Sequence, residues 1–399
     1  MSDQPAALPH RYAGSIDAII QSQGPLLRFF TESAWSRRDP ADPSNADFVA
    51  GNPQEMVMPA FVESIRRWAT PKDKDWYAYK FNEPYAQDAA AAGLRERRGI
   101  AFEPEDISLT DGGFAGLVLA IRTVTDPGDE VIFVSPPWFF YEAIILTALA
   151  RPVRVRVQDT WDLDVDAISA AITARTRAII VNSPNNPTGR VYPVETLSRL
   201  AESLIEASER NGRPVYLISD EAYSRILFDD GRFRSPTEFY PYSFLVYTYG
   251  KQLLTPGQRL GYVALPPQMP DKDSLRTALF LGQLAFGGHG VPNAVMQRAL
   301  GDLDPLCIDV KGLQRRRDRM VDALRSFGYD VRTPEGTFYL LPKSPIEDDV
   351  AFTAQLALDQ VFVLPGTVVE MPGYFRISLT GNDDMVERSL PVFEKIARG

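Results

Sequence analysis

Several short segments hold the residues whose types and spacing could do chemistry. SDEAY at 219–223 follows the apolar run VYLI and sets Asp220 and Tyr223 three residues apart. NSPNNPTG at 182–189 follows AIIV and carries Asn186 among turn-forming Pro, Asn and Gly. TYGKQLLTPGQRLGY at 248–262 places Lys251 just after an apolar run and Arg259 eight residues later. Each has an ordinary explanation when taken singly: a capping carboxylate, a tight turn, a surface lysine. In this order, each behind an apolar run, they carry far more weight. A lysine at its usual pKa of about 10 is a poor base at neutral pH, but burial and cationic neighbours lower that value.

Two further segments point to anions. TDGGFAGLVLAIRTV at 110–124 has two glycines that allow close backbone approach, ahead of a helix whose first N–H groups and positive dipole end suit a dianion. Alone it would be a capped helix with a softened start. YFRIS at 374–378 sets Arg376 inside an apolar strand, where it needs either a bound anion or a structural carboxylate.

The elements that must position these residues are strands. Short apolar runs alternate with amphipathic stretches from about 100 to 265: VIFV at 131–134, VRVRV at 153–157, AIIV at 178–181, VYLI at 215–218, FLVYTY at 244–249 and LGYVAL at 260–265. Strands spaced by helical patterns predict an α/β fold with a mostly parallel sheet, and ligands bind beyond the carboxyl ends of such strands. The polar segments fall there. After about 290 come a basic-polar helix near 305–328 and the short runs TFYLLP at 337–342, VFVL at 361–364 and YFRISL at 374–379, read as a smaller α+β domain. The expected organisation is an arm at 1–45 packing on the small domain, a large domain at 46–290 and a small C-terminal domain at 291–399. One helix from Ser15 to about Trp35 is expected in the arm.

The Asn-Pro-Thr-Gly, Asp-x-x-Tyr and Lys-x7-Arg elements together resemble the pyridoxal-phosphate (PLP) aminotransferases of fold type I, the class I and II group that includes aspartate aminotransferase. The resemblance runs over roughly residues 46–380. It implies a large PLP-binding domain, with Lys251 holding the cofactor as a Schiff base and then moving the proton at the substrate Cα. Asp220 would keep the pyridine nitrogen protonated, and Tyr223 and Asn186 would hydrogen-bond the ring's phenolic oxygen. Arg259 and Thr248 match phosphate ligands, with Gly113 and Phe114 as backbone donors, and Trp138 in SPPWFFYE would stack on the ring. Arg376 would take the substrate carboxylate in a bidentate contact, with Asn186 beside it. AGNPQEM at 50–56 resembles a loop whose glycine, Gly51, lies over the substrate. Tyr79 in DWYAYKFNEPY matches a tyrosine that reaches the phosphate in the neighbouring subunit, which implies a homodimer. The chain departs from the pattern there, with Glu83, Pro84 and Tyr85 where a glycine is usual, and Tyr77 stays an alternative.

The resemblance implies transfer of an α-amino group between an L-amino acid and a 2-oxo acid, with glutamate and 2-oxoglutarate as one pair. A β-lyase, a decarboxylase or an amino-acid oxidase on the same scaffold is the alternative, and a non-catalytic regulator a third. One bacterial branch of the family has a lysine for acidic side chains where this chain has Phe114. Phe114, Trp138, Phe139, Phe140 and Tyr141 would suit an aromatic or apolar side chain, while Glu55 and Glu83 leave a basic one open.

Composition bounds the rest. At 399 residues, 45% apolar and 24% charged, the chain reads as a soluble enzyme of two domains. A net charge of −10 argues against nucleic-acid binding, and RRRDR at 315–319 is read as the solvated face of a helix. Cys307 is the lone cysteine, and with His10 and His289 the only histidines no metal is expected. The N-terminus has no apolar core of signal length and no window spans a membrane, so a cytoplasmic location is the default expectation.

Overall fold

The computed structural model describes residues 12–286 and 290–398. Residues 1–11 of the arm, with His10, and the stretch containing His289 lie outside the described residues. In chain order the strands are β1 (Ala46–Asp47), β2 (Ile107–Thr110), β3 (Glu130–Ser135), β4 (Arg151–Arg156), β5 (Thr176–Asn182) and β6 (Tyr216–Asp220). There follow β7 (Ser243–Thr248), β8 (Gly261–Ala264), β9 (Tyr339–Leu340), β10 (Val361–Phe362), β11 (Leu364–Pro365) and β12 (Phe375–Ser378). Among the described residues seven of them form the central sheet, in the order β2-β8-β7-β6-β5-β3-β4. Only β8 runs against its neighbours.

The central strands read as unbroken apolar runs because both faces of the sheet are covered. On β3, Val131 and Phe133 join the cluster of Leu117, Ile121 and Leu279, while Ile132 and Val134 join that of Leu197, Leu200 and Leu204. The Val-Arg alternation of β4 is that of an edge strand, with Arg154 and Arg156 exposed and Val155 buried. β2 escapes sequence reading because ISLT is four residues long with no visible period. It is a strand because Ile107 and Leu109 bury against Leu94, Tyr262 and Met296.

Register explains why the chemical segments meet. Asn182, Asp220 and Val246 lie side by side across β5, β6 and β7. Thr110, Gly261 and Thr248 form a second row across β2, β8 and β7. Since β8 is antiparallel, the residues before it, Arg259 included, land at the carboxyl edge with the residues that follow β2 and β7. Tyr249 leaves the strand because the Thr248 hydroxyl accepts from Gly250 N at 3.2 Å and starts the helix Tyr249–Gln252.

The second unit is α+β. β11-β12-β9 form an antiparallel sheet, covered by the helices Val310–Ser326 and Asp383–Arg398 through Met320, Leu324, Phe375 and Phe393. β1 pairs with β10, and Ala46 and Phe48 lie in the small unit's core. The helix Ala294–Leu303 buries Met296, Leu300 and Leu303 against Leu109 and Tyr262, so it belongs with the large sheet.

Two expectations are corrected. The single arm helix is three, Gly14–Ser22, Gly24–Glu32 and Ala34–Arg37. Pro25 has no N–H to carry the first helix onward and sits in the first turn of the second, and extended Ser33 caps the third helix by accepting from Ser36 N at 3.2 Å. Leu26 and Phe29 of the arm bury against Phe362, Leu364 and Val368, and Gln23 donates to Phe139 O. The basic run is not a plain solvated face. Arg317 is buried and ion-paired to Asp229 and Asp318, while Arg316 pairs with Glu55 and Asp383. That pairing engages Glu55 on the surface.

Candidate active site

At the carboxyl edge of the sheet lies a cleft of about 140 Å³ that gathers residues from five separate stretches of chain. Asp220 forms its floor. Its Oδ2 accepts from the Tyr141 hydroxyl at 2.6 Å and its Oδ1 from Ala222 N at 3.2 Å. Burial pushes the Asp220 carboxyl up to about 6, against the pull of the Tyr141 hydrogen bond, of Ala222 N and, more weakly, of Lys251. A cationic group facing this carboxylate would bring it back down.

Asn182 shapes one wall. Its Nδ2 donates to Asp220 O at 2.9 Å and its Oδ1 accepts from Asn186 N at 2.7 Å, so the turn after β5 is tied to the end of β6. Asn186 Oδ1 accepts from Arg376 Nη1 at 3.0 Å, which leaves the Asn186 amide N–H pair for a ligand in the cleft. Lys251 faces both. Its Nζ lies 5.9 Å from the ring centre of Tyr223 and 5.7 Å from that of Phe338. Among the described residues it makes no hydrogen bond or ion pair.

The opposite end is built for an anion. The helix Gly112–Val124 opens on the cleft, with the Gly113 and Phe114 N–H groups in its unpaired first turn. Arg259 donates to Asp111 O at 2.9 Å and to Pro256 O at 2.8 Å, with the Asp111 carboxylate also in its field. Gly112 has φ +77°, and a Cβ there would sit 2.9 Å from the Arg259 guanidinium. Thr248 and Lys251 complete this end.

Trp138 lines the cleft, its plane set by edge contacts to Phe114 (5.1 Å) and Tyr141 (5.6 Å). The other aromatics of its segment do not share this position. Phe139 joins the arm's cluster, Phe140 packs behind Phe114, and Tyr141 is buried under Asp220. Of the five expected against a substrate side chain, only Phe114 and Trp138 line the cleft.

Three expected site residues lie outside the cleft lining. Arg376 is 3% exposed on β12 and reaches it only through Asn186. Gly51 is pressed against Phe338 and Tyr339. Tyr79 is 88% exposed on the surface, while the Tyr77 hydroxyl is donated to Ala69 O.

Comparison with known proteins decides the family. The sequence matches the family described as aminotransferase class I and II over residues 47–392. The chain belongs to that family. It is 31% identical over 359 residues to an aspartate/prephenate aminotransferase of Thermus thermophilus, covering 87% of this chain and 90% of that protein. A probable aspartate/prephenate aminotransferase of Aquifex aeolicus is 29% identical over 367 residues, covering 87% and 90%. The crystal structure of an amino transferase from Eubacterium rectale superposes with a TM-score of 0.88 at 28% identity, covering 98% of this chain and 99% of that one. Thermus thermophilus aspartate aminotransferase with maleate gives 0.80 at 26% identity, covering 97% and 100%.

The protein is therefore a PLP-dependent aminotransferase of fold type I, moving an α-amino group between an L-amino acid and a 2-oxo acid. The cleft suits the cofactor on its own terms. A guanidinium and open helix N–H groups would face a dianion at one end and a buried carboxylate a ring nitrogen at the other, with an amine between them. No helix among the described residues is long and apolar enough to cross a membrane. Two contributors went unread in the sequence, Asn182 bracing two strand ends and Tyr339 beside Arg376, and a third, Tyr141, expected against a substrate side chain, lies instead under Asp220. The register of AIIVN with YLISD could have suggested Asn182. No local signal marks the two tyrosines.

Proposed function

We propose that Lys251, Asp220, Tyr223, Asn186, Arg259 and Arg376 carry transamination in this cleft, with glutamate and 2-oxoglutarate as one substrate pair. One observation supports this most. Arg376 is a buried cation with no carboxylate within ion-pair distance among the described residues. Its partners are Asn186 Oδ1, Val49 O at 2.9 Å and the face of Tyr339, and its Nε has no partner. A buried guanidinium is costly unless paired, and this one lacks only an anion on the side of Asn186 and the cleft. The α-carboxylate of an amino acid supplies it. Relatives named for aspartate and prephenate, both carboxylates, support the same reading.

When bound, PLP supplies an electron sink for the charge left at the substrate Cα. Asp220 holds a proton on the ring nitrogen, and Asn186 and Tyr223 donate toward the ring's phenolic oxygen. Arg259, Thr248 and the Gly113 and Phe114 N–H groups hold the phosphate, with Trp138 against the ring. Lys251 Nζ anchors the cofactor and, once displaced, takes the proton from Cα. A suitable amino acid given without a 2-oxo acid is expected to convert the enzyme once, stoichiometrically, to the amino form of the cofactor, and 2-oxoglutarate to reverse the spectrum. Sustained turnover of one amino acid with release of ammonia or carbon dioxide, or with oxygen uptake, would favour a lyase, decarboxylase or oxidase.

The active form is proposed to be a cytoplasmic homodimer. Phe81 and Leu281 are exposed, and Phe81 meets Phe280 at 5.8 Å, an apolar patch suited to a second copy, with the exposed Tyr79 two residues before it in the chain. Tyr79 would then reach the partner's phosphate, and Gly51 would lie over the substrate. Mixing inactive Lys251→Ala and Tyr79→Ala subunits is expected to restore activity, since one site per heterodimer keeps both residues. If Tyr79 served its own subunit, neither site would be whole and mixing would restore nothing.

A further inference from the structure

Tyr339 is the buried group the roles above do not use. It sits on β9, paired with Ser378 of β12, the strand that carries Arg376. The Arg376 guanidinium lies 4.1 Å over its ring centre. Its ring also meets the edge of Tyr223, with centres 5.9 Å apart. A Cβ at Gly51 would stand 2.6 Å from the Tyr339 hydroxyl, so the loop that offers Val49 O to Arg376 also rests on this phenol. One tyrosine thus touches three residues of the proposed site, from three distant segments.

We propose that Tyr339 is a positioning residue for the substrate carboxylate, a reading that rests on the role given to Arg376. The π face supports the buried guanidinium without neutralising it. A carboxylate in that place would pair with Arg376 and compete with the substrate. The ring instead holds the guanidinium plane in register with Asn186 and Val49 O. The phenol's titration agrees with this placement. Burial pushes it up, but Arg376 first, then Lys251 and Tyr223, outweigh burial and hold it below the ordinary tyrosine value. The charged and titratable groups facing it are Arg376 from β12, Lys251 from the helix after β7 and Tyr223 from the loop after β6, with the backbone of Gly51 closing over it. At high pH the phenolate pairs with Arg376, so substrate affinity should fall there.

The test uses holoenzyme with an amino acid that the wild type converts. Tyr339→Leu removes the stack, and its KM is expected to rise about tenfold or more with kcat within about threefold. Tyr339→Phe keeps the stack, so its KM at neutral pH should stay within about threefold of wild type, and the alkaline rise in KM should move to higher pH or vanish. A Leu variant with unchanged KM, or a Phe variant as impaired as Leu, overturns the proposal. Should the Leu variant not fold, the Phe variant decides alone, and an alkaline limb identical to wild type overturns it. A wild type that converts no amino acid overturns the proposed site and this inference together, whereas an active wild type beside an unaffected Leu variant overturns only the inference.

Discussion

Lys251→Ala is expected to lose more than about 10⁴-fold in turnover, because anchor and proton shuttle are one side chain and a positioned base alone contributes about 10²–10⁴. The loss should leave cofactor binding largely in place. Arg259, Thr248 and the start of the helix Gly112–Val124 hold the anion end through groups that this substitution does not touch. The purified wild type should be yellow, and after borohydride reduction the peptide containing Lys251 should carry the cofactor. Labelling at any other lysine sinks the assignment. No other lysine lines the cleft among the described residues, so a neighbour has no position from which to substitute.

Asp220→Asn is expected to slow the first half-reaction by about 10³-fold or more, since it removes the charge that keeps the ring nitrogen protonated. Its effect on the protein without cofactor should have the opposite sign. The folded-state pKa, about 6, lies above the ordinary carboxylate value of 3.8, so burying the neutral acid favours folding at low pH. That contribution is lost as pH rises through about 6, where the folded protein must hold an unpaired buried charge. A difference of about two pKa units corresponds to on the order of 3 kcal/mol. Cofactor-free Asp220→Asn should therefore resist urea better than wild type above pH 6, with the gap closing toward pH 4, and cofactor should reverse the ranking. Equal stability at pH 8 would show that the carboxylate is not desolvated as the fold implies. Tyr141→Phe should act in a related direction. Its hydroxyl lowers the Asp220 pKa through a 2.6 Å bond, so without it the acid limb of cofactor binding should move to higher pH.

These two experiments probe a site that is partly optimised against the stability of the chain that forms it. Asp220 and Arg376 are both buried, and on the proposed roles their complements would come from ligands: a ring nitrogen for one and a carboxylate for the other. Both also rest on neutral tyrosines, Tyr141 and Tyr339. A hydroxyl or a ring face supports a charge without cancelling it, and the charge stays available for the ligand.

By itself the sequence determined which groups stand at the strand ends. Apolar runs buried on both faces mark β3, β5, β6 and β7 clearly, and Asn186, Asp220 and Lys251 each follow such a run within a few residues, so covalent connection alone carries them to the carboxyl edge. Only the tertiary structure decided how those ends are tuned. Tyr141 and Asp220 are 79 residues apart, Asn186 and Arg376 are 190 apart, and Val49 and Arg376 are 327 apart. The joining of β1 to β10, the breaks in the arm helix and the docking of Phe139 on the arm likewise depend on which surfaces meet. Periodicity and turn residues report the geometry of neighbours along the chain. The pairing of a buried charge with a particular ring or hydroxyl is set by packing between distant segments, where nothing local in the sequence records it.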